Sequence, residues 1–154
     1  MAGFTLIELL ITVAILGVLA SAALPMTELA VKRAREQELR TALRQIREAL
    51  DAYKELTADG TIIKAADESG YPRSLEVLVD GMPDAKSPAK RRIFLLRRLP
   101  RNPLWPDPAT PAAATWSKRS YDSSHDSPQP GRDVFDVYAD SDAVGLNGIA
   151  YREW

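Results

Sequence analysis

The chain begins with a stretch in which apolar residues occupy every face of a predicted helix. Glu8 is the only charged residue between Met1 and Met26, and the uncharged window Leu9–Thr27 is 19 residues long. A segment of about 20 apolar residues is long enough to cross a hydrocarbon core of about 30 Å. The pattern therefore predicts a membrane-spanning helix over residues 4–27 that contains a single carboxylate.

After Pro25 the hydrophobic pattern changes from all-round apolar to amphipathic. Apolar residues recur at spacings of four, three, four and three, with polar residues between them, at Leu39, Leu43, Ile46, Leu50 and Tyr53. This periodicity predicts that the helix continues to about Leu56, where Asp59-Gly60 ends it, so that residues 28–58 form an amphipathic half with one buried stripe. Pro25 removes a backbone hydrogen bond and predicts a kink or a point of softening.

Prolines are frequent after residue 59 and restrict helices there to short segments, predicted over Arg73–Val79 and Pro88–Arg98. Strand signals come late in the chain and predict strands over Thr115–Tyr121, Asp133–Tyr138 and Ile149–Tyr151. The turn residues Asp140-Ser141-Asp142 and Gly145–Gly148 separate the last two strands. The predicted fold class is therefore α+β, a long N-terminal helix with a small antiparallel sheet in a domain over residues 59–154 that covers the apolar stripe.

Composition excludes several classes of function but does not assign one. The 154 residues are 45% apolar and 27% charged, with a net charge of −1. We interpret the basic residues as interleaved with acids, so nucleic acid is not an expected partner. Cysteine is absent, which removes disulfides and thiolate sites. The single histidine, His125, lies in a polar loop, and no phosphate-binding or zinc-binding spacing occurs. The sequence therefore predicts a protein that is not an enzyme.

Three other interpretations of the N-terminal stretch compete with the membrane-spanning helix. A secretory signal peptide could be cut after Ala20-Ser21-Ala22, but no basic residue precedes the apolar run. A buried core helix of a soluble protein disagrees with the all-round apolar pattern. An ordinary signal anchor leaves Glu8 unexplained. The basic residues that follow the stretch favour a cytoplasmic C-terminal part, although this rule is weak for long trailing domains.

The first residues carry a family resemblance. The run Gly3-Phe4-Thr5-Leu6-Ile7-Glu8, followed by an apolar helix, resembles the class III signal of type IV pilin-like proteins. In that superfamily a prepilin peptidase cuts after the glycine and N-methylates the new first residue. The resemblance covers about 30 residues, and Pro25 falls where many such proteins have a helix-softening proline. It implies a three-residue leader, residues 1–3, with processing at Gly3 and Phe4.

The second half of the chain is similar to the G-type major pseudopilins of type II secretion systems. The similar runs are Leu99–Pro103, Trp116, Asp133–Asp142 and Tyr151–Trp154. The resemblance implies a structural subunit of a pseudopilus that helps to move folded proteins across the outer membrane. It also implies a single-pass protein of the bacterial inner membrane whose C-terminal domain lies in the periplasm, within an assembled periplasmic filament.

The same resemblance implies partners and a role for Glu8. The expected partners are further copies of the chain, minor pseudopilins, the prepilin peptidase, the inner-membrane assembly platform with its ATPase, and membrane lipid. Glu8 is expected to meet the new N-terminal amine of a neighbouring subunit, which would make it an assembly determinant. Calcium is a further expected ligand, held by oxygen donors of the late loop at Asp140, Asp142 and Asn147 with Ser141 beside them.

Two alternatives from other classes stay open on the sequence. A type IV pilus pilin, serving adhesion, motility or DNA uptake, shares the first 30 residues, but many such pilins close a C-terminal loop with a disulfide that this chain cannot form. The other alternative is a signal-anchored periplasmic binding or enzymatic domain. The state of the mature N-terminus distinguishes both filament interpretations from this last one.

Overall fold

A computed structural model describes residues 5–89 and 91–154, leaving aside the side chains of residues 22–25. Gly3 and Phe4, the predicted processing residues, lie outside the described residues. By its contacts the chain divides after Glu36 into an N-terminal unit and a C-terminal unit, Gln37–Trp154. The division falls within the predicted amphipathic segment 28–58, and the predicted domain limits stay predictions.

The long predicted helix is present as α1, Leu6–Ala58. It ends where the sequence predicts, because Gly60 adopts a φ of 79° that other residues rarely adopt and Asp59 accepts a hydrogen bond from the Thr61 N–H at 2.8 Å. The helix includes Pro25. Softening of the helix at that residue stays a prediction.

The apolar stripe of α1 forms one side of the core of the C-terminal unit. Leu39, Leu43, Ile46 and Leu50 are all at most 3% exposed, and Tyr53 packs at the edge of the same cluster. Side chains from the rest of the unit complete this cluster, among them Leu75, Leu78, Trp116, Val134, Val137 and Tyr151. Burial of a large aliphatic side chain contributes about 1.5–3 kcal/mol, so the stripe is a main source of the unit's stability.

The α+β fold class is confirmed, but the strands form two separate antiparallel ribbons. The first pairs β1, Met82–Pro83, with β2, Arg92–Ile93. The second pairs β3, Ser117–Arg119, with β4, Asp136–Tyr138, inside the two predicted strands. Thr115 belongs to a short 3-10 helix, Ala112–Thr115, that precedes β3.

Two predicted short helices differ in the structure. The helix predicted over Pro88–Arg98 is wrong, because this stretch supplies β2 and the Leu95 and Leu96 N–H groups both donate to the Leu78 carbonyl oxygen, at 3.1 and 2.9 Å. The helix predicted over Arg73–Val79 is displaced and shortened to α2, Val77–Asp80. Tertiary hydrogen bonds overrode the local helical pattern in the first case.

The strand predicted over Ile149–Tyr151 is also wrong. Only an isolated bridge between Val144 and Ala150 forms, and the chain then enters a 3-10 helix, Tyr151–Glu153. The Tyr151 N–H donates to the Ala143 carbonyl oxygen at 3.0 Å. This curl places the Tyr151 side chain, which is 5% exposed, in the core, where an extended strand would have carried the chain past it.

Candidate functional site

The N-terminal part of α1 is apolar and uncovered on every face. The large aliphatic side chains from Leu6 to Leu19 are between 54 and 77% exposed. An 18-residue window of the helix has a mean hydropathy of 2.4, none of it is buried, and the helix is long and apolar enough to cross a membrane. An exposed apolar surface of this extent requires lipid or other protein around it. This segment, Leu6–Ser21, is the first candidate functional site.

The hydroxyl groups inside this segment are satisfied by the helix itself. The Thr12 hydroxyl donates to the Leu9 carbonyl oxygen and the Ser21 hydroxyl to the Val18 carbonyl oxygen, both at 2.8 Å. Such bonds allow serine and threonine to lie in a lipid-facing helix without unpaired polar atoms. The segment is therefore suited to an apolar environment in its polar residues as well as in its apolar ones.

Glu8 lies in the first turn of α1. Thr5 precedes the helix, and its hydroxyl oxygen accepts a hydrogen bond from the Glu8 N–H at 3.4 Å, while its carbonyl oxygen accepts one from the Leu9 N–H at 3.2 Å. A carboxylate near a helix N-terminus gains a few tenths to about 1 kcal/mol from the helix dipole. Within residues 5–89 and 91–154 the Glu8 carboxylate makes no ion pair, so its charge is exposed amid apolar side chains.

The match to known families falls on this same segment. Residues 1–24 match the family model described as the prokaryotic N-terminal methylation motif. The motif indicates a type IV pilin-like protein. Comparison with curated proteins and with solved structures found no match for the chain. The motif and the long apolar helix are consistent with membrane anchoring, and cleavage after Gly3 with methylation of Phe4 stays a prediction.

Two of the predicted calcium ligands already contact other groups of the same chain. Asp142 Oδ1 lies 2.6 Å from Arg152 Nη1, and Asn147 Oδ1 accepts a hydrogen bond from the Ile149 N–H at 3.1 Å. Asp140 is exposed. Across the described part of the chain no group of three or more acidic or histidine side chains is placed to hold a metal ion. Calcium would have to compete with Arg152 for Asp142, and the site stays a prediction.

Arg47 organises the C-terminal unit, and sequence reasoning did not single it out. Its Nε lies 2.8 Å from Asp136 Oδ1, and its Nη2 donates to the main-chain oxygens of Val137 at 3.2 Å and Trp154 at 2.7 Å. One side chain of α1 thus holds both β4 and the last turn. The position of Arg47 next to Ile46, at the border of the apolar stripe, is the only signal in the sequence for this role.

Asp133 is a second unanticipated centre. Its carboxylate accepts hydrogen bonds from the Ser69 hydroxyl, from the Ser120 hydroxyl at 2.8 Å and from the Tyr121 N–H at 2.9 Å. Burial alone would raise the pKa of Asp133, but these hydrogen bonds outweigh it and the net pKa is lowered. An ionised Asp133 therefore joins two loops that are distant in sequence.

A polar cleft of about 470 Å³ opens beside Asp133 and is lined also by Asp67, Glu68, Arg73 and Arg132. Its cations are already paired, Arg73 with Glu68 at 2.5 Å and Arg132 with Asp67 at 3.4 Å. Residue His125 is exposed in a loop outside the lining of this cleft. The arrangement supports a structural role for this region.

Proposed function

We propose that the chain is a structural subunit of a type II secretion pseudopilus, of the major G-type kind, with no catalytic role of its own. It would polymerise through its N-terminal helix and help to move folded proteins across the outer membrane. The observation that carries the proposal is Glu8, a single exposed carboxylate in a helix segment whose aliphatic side chains are 54–77% exposed. The methylation motif over residues 1–24, which includes Glu8, also supports it.

The physical argument concerns the cost of one charge in lipid. On insertion scales a carboxylate costs about 2.5–3.5 kcal/mol at the centre of a membrane helix, and this value is an upper bound for Glu8 because it lies in the first turn of α1. Removal of residues 1–3 would create an α-amine at Phe4, and the amine of a neighbouring subunit could pair with Glu8. Removing one partner of a buried ion pair costs about 3–5 kcal/mol. An unpaired Glu8 would then make the isolated subunit less favourable than the assembled one.

The narrower G-type assignment rests on the resemblance of four runs in the C-terminal unit. Two of the runs that resemble G-type pseudopilins contact each other, since the Trp116 indole N–H donates to the Pro100 carbonyl oxygen at 2.9 Å. Tyr151 and Trp154 of the final run form an edge-to-face pair with ring centroids 5.0 Å apart. Residues on which the resemblance depends therefore pack within one domain.

The proposed setting follows from the same assignment. The chain would span the bacterial inner membrane once, with its C-terminal domain in the periplasm and its leader removed by a prepilin peptidase. Minor pseudopilins and an assembly platform with its ATPase would be its other partners. Calcium binding by the late loop belongs to this proposal as well.

Two measurements test the proposal. Mass spectrometry of the mature chain is expected to find N-methylated Phe4 as the first residue. Glu8→Ala is expected to leave insertion and cleavage unchanged while abolishing filaments seen by electron microscopy of cells that express the whole secretion system. Glu28→Ala is the matched control, because Glu28 is also an exposed acid of α1 but lies outside the apolar segment.

Normal filaments from the Glu8→Ala variant would contradict the assembly role. An intact Met1, or a cut after Ala22, would contradict the whole class and favour a signal-anchored periplasmic domain. Detection of the chain in long surface fibres would favour a type IV pilus pilin over a pseudopilin.

A further inference from the structure

One segment of the chain departs from the interleaving of opposite charges expected from the sequence. Between residues 86 and 101, the basic segment, there are seven lysines and arginines and no acid: Lys86, Lys90, Arg91, Arg92, Arg97, Arg98 and Arg101. Since the whole chain has a net charge of −1, the rest of it carries −8. Charge is therefore strongly segregated.

Several cations of the basic segment are already engaged. Arg92 donates to the carbonyl oxygens of Asp80 and Gly81, both at 2.8 Å, and Lys86 lies 3.4 Å from Asp59. Arg101 donates to main-chain oxygens of the loop that follows it. Arg91, Arg97 and Arg98 differ, because they are exposed and make no ion pair within the part of the chain that the structure describes.

An aromatic residue, Phe94, lies between these arginines in the sequence and is close to the main chain at Gly81. Phe94 is 60% exposed, yet its ring rests on the main chain at Gly81, where no side chain would fit because a Cβ atom would lie 2.7 Å from the Phe94 Cε1. The ring thus has one covered side and one accessible side. The basic segment presents an apolar surface together with its positive charge.

The late loop at residues 140–149, the acidic loop, has the complementary properties. Asp140 is exposed without an ion pair in the described residues, and the Asp142 side chain is 83% exposed although it pairs with Arg152. Apolar side chains in the loop are also exposed, with Ile149 at 45%, Leu146 at 43% and Val144 at 52%. The loop is ordered by a hydrogen bond from the Gly145 N–H to the Ile149 carbonyl oxygen at 2.9 Å.

We propose that the acidic loop of one copy of this chain docks on the basic segment of the next copy. Asp140 and Asp142 would meet Arg97 and Arg98, and Phe94 would pack against the apolar side chains of the loop. Because the same two carboxylates are predicted calcium ligands, this contact belongs to the calcium-free loop, and calcium would compete with it. Because the two surfaces differ, the contact is heterologous, and repeating it gives an open-ended filament when the rotation between copies does not close a ring. The inference rests on the proposed function and supplies a contact between C-terminal units that the N-terminal helix does not provide.

A second copy of the chain is a better partner for the basic segment than nucleic acid or lipid headgroups. Nucleic-acid-binding domains usually have an isoelectric point above about 9, whereas this chain has one of about 5.9 and carries its own acidic counterpart. Charge complementarity between unlike surfaces also selects partner and register. Lipid headgroups and nucleic acid are tested below as competing ligands.

The test is a charge exchange in the full-length chain, expressed with its assembly system. Arg97→Glu with Arg98→Glu, and separately Asp140→Arg with Asp142→Arg, are each expected to cause loss of filaments seen by electron microscopy. The chain that carries all four substitutions is expected to recover them. Recovery separates a direct contact from misfolding, and the melting temperatures of the variants provide a second check.

Engineered cysteines give a direct readout, because the chain has no cysteine of its own. A chain with Arg98→Cys and Asp140→Cys is expected to form a ladder of disulfide-linked multimers on oxidation. Either substitution alone is expected to give no ladder and at most a dimer, because each chain then has a single cysteine. Raising the salt concentration before oxidation is expected to shorten the ladder, since salt screens exposed charges.

The outcomes separate this inference from the function on which it rests. Filaments that persist in both charge-reversed variants, or that fail to return in the fourfold variant, would overturn the contact and leave the proposed function standing. Binding of phosphatidylglycerol vesicles or of a single-stranded oligonucleotide that depends on Arg97 and Arg98, with filaments unaffected, would assign the basic segment to that ligand instead. Absence of filaments from the unchanged chain would overturn the proposed function and this contact together.

Discussion

Replacement of Arg47 by alanine is expected to destabilise the C-terminal unit. The side chain pairs with Asp136 of β4 and also donates to main-chain oxygens of Val137 and Trp154, at 3.2 and 2.7 Å. Alanine leaves both carbonyl oxygens without this donor. Asp136 keeps a weaker contact with Arg119 Nη2 at 3.4 Å, so its charge is not left wholly unpaired.

The expected magnitude follows from these contacts. Hydrogen bonds to charged groups contribute about 1.5–3 kcal/mol each in net terms. Arg47 makes three, but its side chain is 37% exposed, so water recovers part of the loss and we expect a total of about 2–3 kcal/mol. For a domain of roughly 120 residues this corresponds to a fall in Tm of about 8–12 °C.

The assay is thermal unfolding of the full chain in detergent, followed by circular dichroism and tryptophan fluorescence. Trp116 and Trp154 both lie in the unit that is expected to unfold. Arg44→Ala is the matched control, because Arg44 is an exposed arginine of the same helix, and it is expected to change stability by less than about 0.5 kcal/mol. Equal melting temperatures for Arg47→Ala and Arg44→Ala would refute the role assigned to Arg47.

Three further predictions concern single sites. Asp133→Asn is expected to destabilise the protein at pH 7. The pKa of Asp133 in the folded protein is lowered from its ordinary 3.8, so the ionised carboxylate stabilises the fold fully above pH 3.8 and loses this effect as pH falls through the folded pKa. The difference in stability between the variant and the wild type should therefore disappear in acid. A difference that stays constant with pH would contradict this. Gly81→Ala is expected to cost about 2 kcal/mol in chemical denaturation, because φ is 78° and the new Cβ meets Phe94; an unchanged midpoint would refute it. The family resemblance predicts a higher Tm in about 1 mM calcium than in chelator, and equal values would remove the calcium site at Asp142.

The fold was predictable where the helical spacing of apolar residues decides the structure. The stripe from Leu39 to Leu50 identified the buried face of α1, and Asp59-Gly60 identified its end, because both signals are local and depend on backbone geometry. The segment 88–98 was not predictable in this way. Its apolar residues at Ile93–Leu96 look helical, yet hydrogen bonds to Leu78 and pairing with Met82 decide its conformation.

The candidate sites differ in the same way, because some stand out in the sequence and others depend on tertiary contacts. Glu8 stood out in the sequence because a single acid in an apolar run is anomalous without any knowledge of contacts. Asp133 did not, because its importance arises from Ser69 and Ser120, which lie 64 and 13 residues away along the chain. The basic segment was missed in the sequence, where the basic residues were interpreted as interleaved with acids. Exposure and the hydrogen bonds of Arg92 then showed which arginines stay available.

The sequence by itself determined the long helix, its apolar first half, its buried stripe and the isolated carboxylate at Glu8, since these depend on residue type and a fixed period. The tertiary structure decided the two ribbons, the curl at Tyr151 and the bonds of Arg47. Short segments have weak local preferences, and the hydrogen bonds that fix them come from residues up to 107 positions away, between Arg47 and Trp154. Such partners exist only once the chain has folded.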